Sequence, residues 1–322
     1  MPETSSQASS NQVQRITRDK LEGVFDRRIP PVAYVKPGET FIVETEDSRG
    51  GLTRTAENTT PEFLWAMRRR PGFFFNPVTG PIYIKGAKPG DTLAVHIHAQ
   101  ECDSLGFQPY WPWLFHLEDF YDKPATALRE IRDGKVIFNE EIQIPVRPMI
   151  GTIGTAPAVE AILSGGMGQH GGNLDAEEIC AGSTIYLPVN VEGALLSLGD
   201  CHAIQSDGEV NEIEMRSVVT LSCEVIQGRS PVMSWPRIET PELMVTVAVA
   251  CPLEEALRLA LRDMILWMEE LTGMSRRDAY WLVGIAGHVR PGQAQVSLYS
   301  MRCLMPKKFL PKSQLQARLL RP

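Results

Sequence analysis

Residues 183–226 read STIYLPVNVEGALLSLGDCHAIQSDGEVNEIEMRSVVTLSCEVI. Ile185, Leu187 and Val189 fall on one side of their run, the period-two signature of a strand with one buried face. "GALLSLGD" follows after a short turn, and "RSVVTLSCEVI" is rich in the β-branched residues that pack well on a pleated surface. Three strands in 44 residues make this central segment mainly β.

The same texture extends upstream. In "ETFIVETED", Phe41, Val43 and Thr45 alternate with Thr40, Ile42 and Glu44. "GPIYIKGAKPGDTLAVHIHAQ" offers runs at Ile82 to Lys85 and Thr92 to His98 joined by a Pro-Gly-Asp turn, which predicts a hairpin. "TPEFLWAMRR" has the length of one short helix. The helical signal comes late. Leu253, Leu257, Ala260, Met264, Trp267 and Leu271 recur close to a 3.6 period, after Pro252 and before Gly273. A shorter helix starts at Ser275, with Asp278 three residues on, and "AQVSLYSMRCLMP" closes as a strand. Many strands, then two packed helices, then a strand predict an α+β chain, predominantly β, and not an alternating α/β one.

Composition narrows the class. Of 322 residues 43% are hydrophobic, and 32 basic against 39 acidic residues leave a net charge of −7. This balance disfavours nucleic-acid and anionic-membrane partners, and no apolar run has the length of a membrane span. The cysteines at 102, 180, 201, 223, 251 and 303 form no CxxC pair, which disfavours a thiolate zinc cluster and fits a reducing, cytoplasmic setting. The polar start, residues 1–14, reads as a disordered tail. One unit is expected over 24–312, with an N-terminal β part (24–145), a central β part carrying the site (146–228) and an α+β part (229–312). "GTIGTAP" (151–157) lacks the downstream helix and lysine of a phosphate-binding loop.

Chemistry concentrates in "GDCHAIQSDGE" (199–209). If the strand of "ALLSLG" continues through residue 202, Asp200 and His202 share a face with Cβ atoms roughly 7 Å apart, within reach of one cation. Gly208 lets Asp207 or Glu209 turn back toward them. A nitrogen-and-oxygen set of this kind suits Zn²⁺ or Ca²⁺; a surface turn with incidental charges is the other reading of the spacing. A second cluster, His170, Asn173, Asp175 and Glu178, sits in the glycine-heavy loop "GGMGQHGGNLDAEEICAGS" (165–183). Glu212 and Glu214 form a third, with pairing to Arg216 as the alternative. His96 and His98 share a strand face but sit on the predicted hairpin. His116 lies in an aromatic segment that lines either a pocket or the core, and His288 has no evident partner.

The chain resembles the acetamidase/formamidase family of amide hydrolases in "NPVTGPIYIKGAKPGDTLAV" (76–95), "GTIGTAP", "HGGNLDAEEICAGSTIYLPVNVEGALLSLGDCHAIQSDGEV" (170–210), and the pair "SRRDAYWLVGIAG" and "MPKKFL". The family motif Gly-Asp-x-His-Ala-x-Gln-Gly-Asp-Gly-Glu is matched except for Ser206 in place of Gly. The resemblance covers about residues 30 to 311. It implies a β-sandwich or barrel-like fold and metal-dependent hydrolysis of a small linear amide, formamide- or acetamide-like, to carboxylate and ammonia. By position Asp200, His202, Asp207 and Glu209 fall on the family's signature, and Asn173 and Asp175 on its Gly-Gly-Asn-x-Asp element. Asp175, Asp200 and His202 are then expected to hold a divalent cation, zinc or alternatively calcium, with Asp207 and His170 as further ligands or as supports of the ligands. Glu214 and Glu209 become the proton-transferring acids, and Asn173, Gln205 and Asp47 the supporting groups. Glu212 is the alternative to Glu214, because "NEIEM" replaces the family's usual continuation. Homo-oligomerisation is expected. A cysteine nucleophile is disfavoured, since Cys201 points away from His202. The competing functional class is a metal-stabilised β scaffold that binds a small molecule without turnover.

Overall fold

The structure, a computed structural model, describes residues 13–112, 119–120, 123–229 and 232–311. His116 and residues 1–12 of the expected tail lie outside the described residues. The principal strands, in chain order, are β1 (Gln14–Ile16), β2 (Thr40–Thr45), β3 (Val78–Ile84), β4 (Thr92–Tyr110), β5 (Ala125–Arg132), β6 (Met149–Gly154), β7 (Gly171–Asn173), β8 (Thr184–Pro188), β9 (Leu196–Gln205), β10 (Glu212–Ile226), β11 (Leu243–Ala250) and β12 (Tyr299–Pro306). The helices are α1 (Pro61–Arg68), α2 (Leu253–Thr272) and α3 (Arg276–Ala286). The chain is thus mostly β, with a curled, largely antiparallel sheet, as the sequence predicts.

Strand partners explain the curl. β10 pairs with β2 through Ser217 to Ser222 and with β4 through Glu214 to Ile226, so the long β10 is covered on both edges. β4 continues to β8 on one side and to β5 at its far end. The inward faces of these strands supply Phe41, Val43, Val95, Ile97, Leu187, Leu198, Val219 and Leu221 to one core. The closing pair β11–β12 supports a second core against the helices, where Met244, Ala248, Met301 and Met305 meet Ala260, Met264, Trp267 and Val283.

The C-terminal helices form as their sequence signals require. Pro252 is the N-cap of α2, Glu254 and Glu255 complement its positive end, and Gly273 stops it at φ +69°. The Ser275 hydroxyl accepts from the Asp278 amide at 3.1 Å and starts α3.

Two expectations need correction. β3 and β4 do not form a hairpin. The turn is present, with the Asp91 amide donating to the Lys88 carbonyl at 3.0 Å. Beyond it the strands part: β3 joins β9, and β4 joins β8 and β10. A turn sets local direction, whereas the apolar faces of both runs are buried against other strands. The tail also ends sooner than residue 14, because Gln14 to Ile16 pair in parallel with Phe41 to Val43. Leu21 and Glu22 pair with β3, so the folded unit begins before residue 24.

Candidate metal centre

The site forms where β9 changes partner. On one edge β9 runs against β6 from Ser197 to His202. On the other it pairs with β3 through Gly199 and then with β10 from Cys201, where His202 faces Glu214. Asp200 stands at the switch with φ +55°, a left-handed value that a non-glycine residue adopts at a cost. Asn76, Asp175 and Glu209 are also left-handed, at φ 55°, 47° and 49°. Four polar residues held in an unfavoured conformation around one point mark a site shaped for something other than stability.

Three ligand atoms converge there. One atom each from Asp175, Asp200 and His202 lie within 4.8 Å of one another, and all three residues are buried. Asp175 Oδ1, Asp200 Oδ1 and His202 Nε2 have no hydrogen-bond partner. The remaining polar atoms of these side chains are tied down. Asp200 Oδ2 accepts from Asn76 at 2.6 Å and from Thr152 at 3.1 Å. Asp175 Oδ2 accepts from Asn173 Nδ2 at 2.7 Å, and Asn173 Oδ1 accepts from both Asn76 and Thr152. Gln205 donates to the Asp175 carbonyl at 2.7 Å and meets His202 Nδ1 at 2.8 Å. Gly151 lines the same point; a Cβ there would lie 2.6 Å from Asp175 Oδ1 and 2.6 Å from the Asp200 carbonyl oxygen.

The acids around these atoms are strongly shifted. Burial, and then the neighbouring carboxylates, pushes Asp175 up to about 8 and Glu212 up to about 7. Glu209 and Glu214 are driven well above the ordinary carboxylate range by burial first and by neighbouring acids next. Burial opposes the His202 imidazolium, yet Glu214 and Asp200 overrule it and hold that pKa well above its usual value. Buried like charges are strongly unfavourable unless a cation joins them. The unpartnered atoms, the donor chemistry and the acid excess all fit a divalent cation held by Asp175, Asp200 and His202.

The other expected residues lie as follows. Glu214 Oε2 is 3.8 Å from His202 Nε2 and accepts from the Ser48 amide at 3.4 Å. Glu209 is buried beside Asp175, with Oε2 unpartnered. Glu212 accepts from Gln295 at 3.2 Å. Asp47 does not approach the three ligand atoms; its Oδ1 accepts from the Arg49 and Gly51 amides, each at 3.0 Å, and so shapes the loop whose Ser48 touches Glu214. Burial and Glu46 raise Asp47 to about 6.

Asp207 and His170 are not brought to the centre. Asp207 is captured by the buried guanidinium of Arg302, which also binds Glu178 at 2.8 Å. A fully buried cation requires carboxylate partners, and Gly208 turns the chain after Asp207 so that Glu209 reaches the interior in its place. His170 packs edge-on against Phe25 with ring centroids 5.1 Å apart, and burial lowers it to about 4. Gly171 and Gly172, at φ +98° and +95°, redirect the backbone between it and Asn173. His96 and His98 are held by Thr184 and Ser222, each at 2.8 Å. Cys201 lies in the core, where burial pushes its thiol up to about 12.

Three contributors were not predicted: Asn76, Gly151 and Thr152. Asn76 carried the one available signal, an Asn before proline that tolerates a left-handed φ.

Fold and site together define a curled β protein with a buried carboxylate–imidazole centre. The model of the Acetamidase/Formamidase family matches residues 10–165 and 164–291. The chain belongs to this family. It is 28% identical to a putative formamidase of Schizosaccharomyces pombe and 26% identical to an acetamidase of Mycolicibacterium smegmatis; each match covers 62% of this chain, and 62% and 64% of those relatives. The matched region therefore spans less than two thirds of their length. Among solved structures, an acetamidase from Bacillus halodurans superposes with a TM-score of 0.84 at 32% identity, over 92% of this chain and 98% of that one. A predicted acetamidase/formamidase from Thermoanaerobacter tengcongensis gives 0.86 at 33% identity, over 96% and 99%. A gamma lactamase from Delftia acidovorans shares the fold at 0.60 and 21% identity, over 90% and 89%.

Proposed function

We propose that the chain hydrolyses the C–N bond of a linear amide to a carboxylate and ammonia at the Asp175–Asp200–His202 centre. The observation that carries this reading is the set of three unpartnered ligand atoms beside the buried Glu214. A divalent cation bound there supplies a Lewis acid for the amide carbonyl and acidifies water to a pKa of about 7. One imidazole with two carboxylates suits zinc, which takes few nitrogen and oxygen ligands; calcium requires six to eight oxygens.

The chain's own groups do the rest. Gln205 fixes the His202 ring, and Asn76, Asn173 and Thr152 fix the two aspartates. Glu214 accepts a proton from the attacking water and delivers it to the departing nitrogen, so that ammonia leaves and the acid keeps the water's oxygen. Burial, and then the neighbouring acids, hold its pKa well above the usual carboxylate range. Glu209, beside Asp175, is the alternative proton carrier. The altered "NEIEM" segment keeps both Glu212 and Glu214 buried at the centre, which speaks for an enzyme over an inert scaffold.

The six unpaired cysteines support a cytoplasmic location. Trp281 and Ile285, 57% and 86% exposed one turn apart on α3, support a homo-oligomer. No helix among the described residues is long and apolar enough to cross a membrane. Ammonia release from a panel of amides, measured before and after chelation and after zinc readdition, tests the reading. Release that chelation abolishes and zinc restores is expected; metal-loaded protein that releases none from any amide would favour the scaffold.

A further inference from the structure

A cavity of about 440 Å³ opens beside the centre. One wall is the paired end of β4 and β5, where Gln108 faces Ala127 and Tyr110 faces Ala125. The opposite wall is Val210 to Glu212, which continues directly from the metal-site motif. Asn211 donates to the Pro109 carbonyl at 2.6 Å and ties the two walls together.

The inner end of this cavity belongs to the site. Glu212 lines it and is one of the buried acids around His202. Gln295 lines it too, donating to Glu212 and to the Glu209 carbonyl oxygen. Thr126, a third lining residue, accepts at 2.9 Å from Arg49, whose guanidinium lies 4.4 Å from the Phe107 ring centre. Glu212, Gln295 and Thr126 thus supply part of the polar lining, beside Gln108, Tyr110 and Asn211. Pro109, Trp111, Ala125, Ala127 and Val210 supply the apolar part of the lining, and among the described residues no lysine or arginine lines the cavity.

Formamide or acetamide would fill only a corner of this space, since cavities of roughly 300–1,000 Å³ hold drug-sized ligands. We infer that this cavity receives the acyl group of the substrate, and that the substrate class is a primary amide with an uncharged, largely apolar acyl group at least as large as a benzyl group. The inference rests on the amidase reading above. Burial of each added methylene is worth roughly fourfold in affinity, so a filled cavity separates large from small amides by orders of magnitude.

The test compares acetamide, isovaleramide and phenylacetamide on the zinc-loaded protein by ammonia release, alongside calorimetric binding of the product-like phenylacetate. kcat/KM is expected to rise at least tenfold from acetamide to phenylacetamide. Ala127→Phe, which fills the cavity from β5, is expected to lower the phenylacetamide-to-acetamide ratio at least tenfold and to weaken phenylacetate binding. Val210→Trp, on an exposed loop position that the fold tolerates, fills the same space from the other wall and is expected to do the same. A ratio near one, or a ratio that both variants leave unchanged, overturns the inference while the amidase reading stands. If no amide is hydrolysed, the amidase reading fails, and the cavity is judged by phenylacetate alone. Saturable binding lost in both variants upholds an apolar carboxylate or amide site, and absence of binding overturns it.

Discussion

Gln205 Oε1 meets His202 Nδ1 at 2.8 Å, while the Gln205 amide nitrogen donates to the backbone carbonyl of Asp175 at 2.7 Å. The second bond fixes which end of the amide faces the ring: an oxygen, which can only accept. Nδ1 must therefore carry its hydrogen, and Nε2 is left to bind either a proton or a cation. Without a cation, Glu214 and Asp200 make the proton favourable. With one, the lone pair serves as a ligand. A single glutamine thus sets the His202 tautomer and also anchors the backbone of a second ligand.

Replacing that glutamine isolates its role. Gln205→Leu keeps the approximate volume but leaves Nδ1–H and the Asp175 carbonyl unpaired. Outer partners of metal ligands are typically worth 10- to 100-fold in metal affinity. Competition with a chromogenic chelator is expected to show a loss in that range, with far-UV circular dichroism unchanged. Equal affinity in the variant and the natural chain would remove this account of the ring.

Asp200 carries different weight in the two forms of the protein. Asp200→Asn removes one charge, while the amide oxygen can still accept from Asn76 or Thr152. In the metal-free form the change relieves repulsion among the buried acids but also removes a partner of the His202 imidazolium, so stability in chelator is expected to change little. The same change removes a ligand, so excess zinc stabilises the variant little. For the natural chain, zinc at a thousand times its Kd adds about 4 kcal/mol. Thermal unfolding should therefore show a variant that melts close to the natural chain in chelator and well below it in zinc.

Gly151 tests how tightly the centre is built. Its φ is not in the left-handed region, so the backbone alone would accept alanine. The obstacle is steric, with two oxygens 2.6 Å from the added carbon, one of them the Asp175 Oδ1 that is to bind metal. Gly151→Ala is expected to reduce zinc occupancy at least tenfold by elemental analysis, while the metal-free protein stays folded. Full occupancy would mean that Asp175 is free to move aside.

These residues mark what could be seen in the sequence. Asp200 and His202 were legible because two positions apart on one strand is a local rule, and Cys201 between them was correctly turned to the core. Both late helices were legible because their caps and apolar period are local too. The change of partner at Asp200 was not, because it depends on which strand arrives beside β9, and β3 comes from more than a hundred residues upstream. Asn76 and Thr152 were hidden for the same reason. Asp207 was misplaced because its partner, Arg302, lies on the last strand, and motif spacing carries no information about a buried arginine elsewhere.

His170 predicts acid sensitivity apart from metal. Burial lowers its pKa to about 4 from an unfolded value near 6.5. Above 6.5 the ring is neutral in both states and contributes no pH dependence. As pH falls below 6.5 the unfolded chain takes up a proton that the folded one refuses until about 4, so stability declines across that window. His170→Gln retains a planar polar group against Phe25 but does not titrate. Urea unfolding of chelated protein at pH 7 and at pH 4.5 should show a drop of about 2–3 kcal/mol for the natural chain beyond that of the variant. Equal drops would show that His170 is protonated or exposed before the fold gives way.

The last prediction separates the acids around the centre. Glu214 lies 3.8 Å from His202 Nε2 and is held by the Ser48 amide, whereas Glu209 lies beside Asp175, and Glu212 is engaged by Gln295 at the inner end of the cavity. A proton carrier must reach both water and the leaving nitrogen, and its loss typically costs 10²–10⁴ in rate. Glu214→Gln is isosteric and is expected to lower kcat by that factor with zinc content unchanged. Glu212→Gln should act mainly on KM, because it alters the mouth of the site, and Glu209→Gln should lower kcat less than Glu214→Gln. If Glu209→Gln carries the larger loss of kcat, the proton moves on the Asp175 side of the centre, and the roles of the two glutamates exchange.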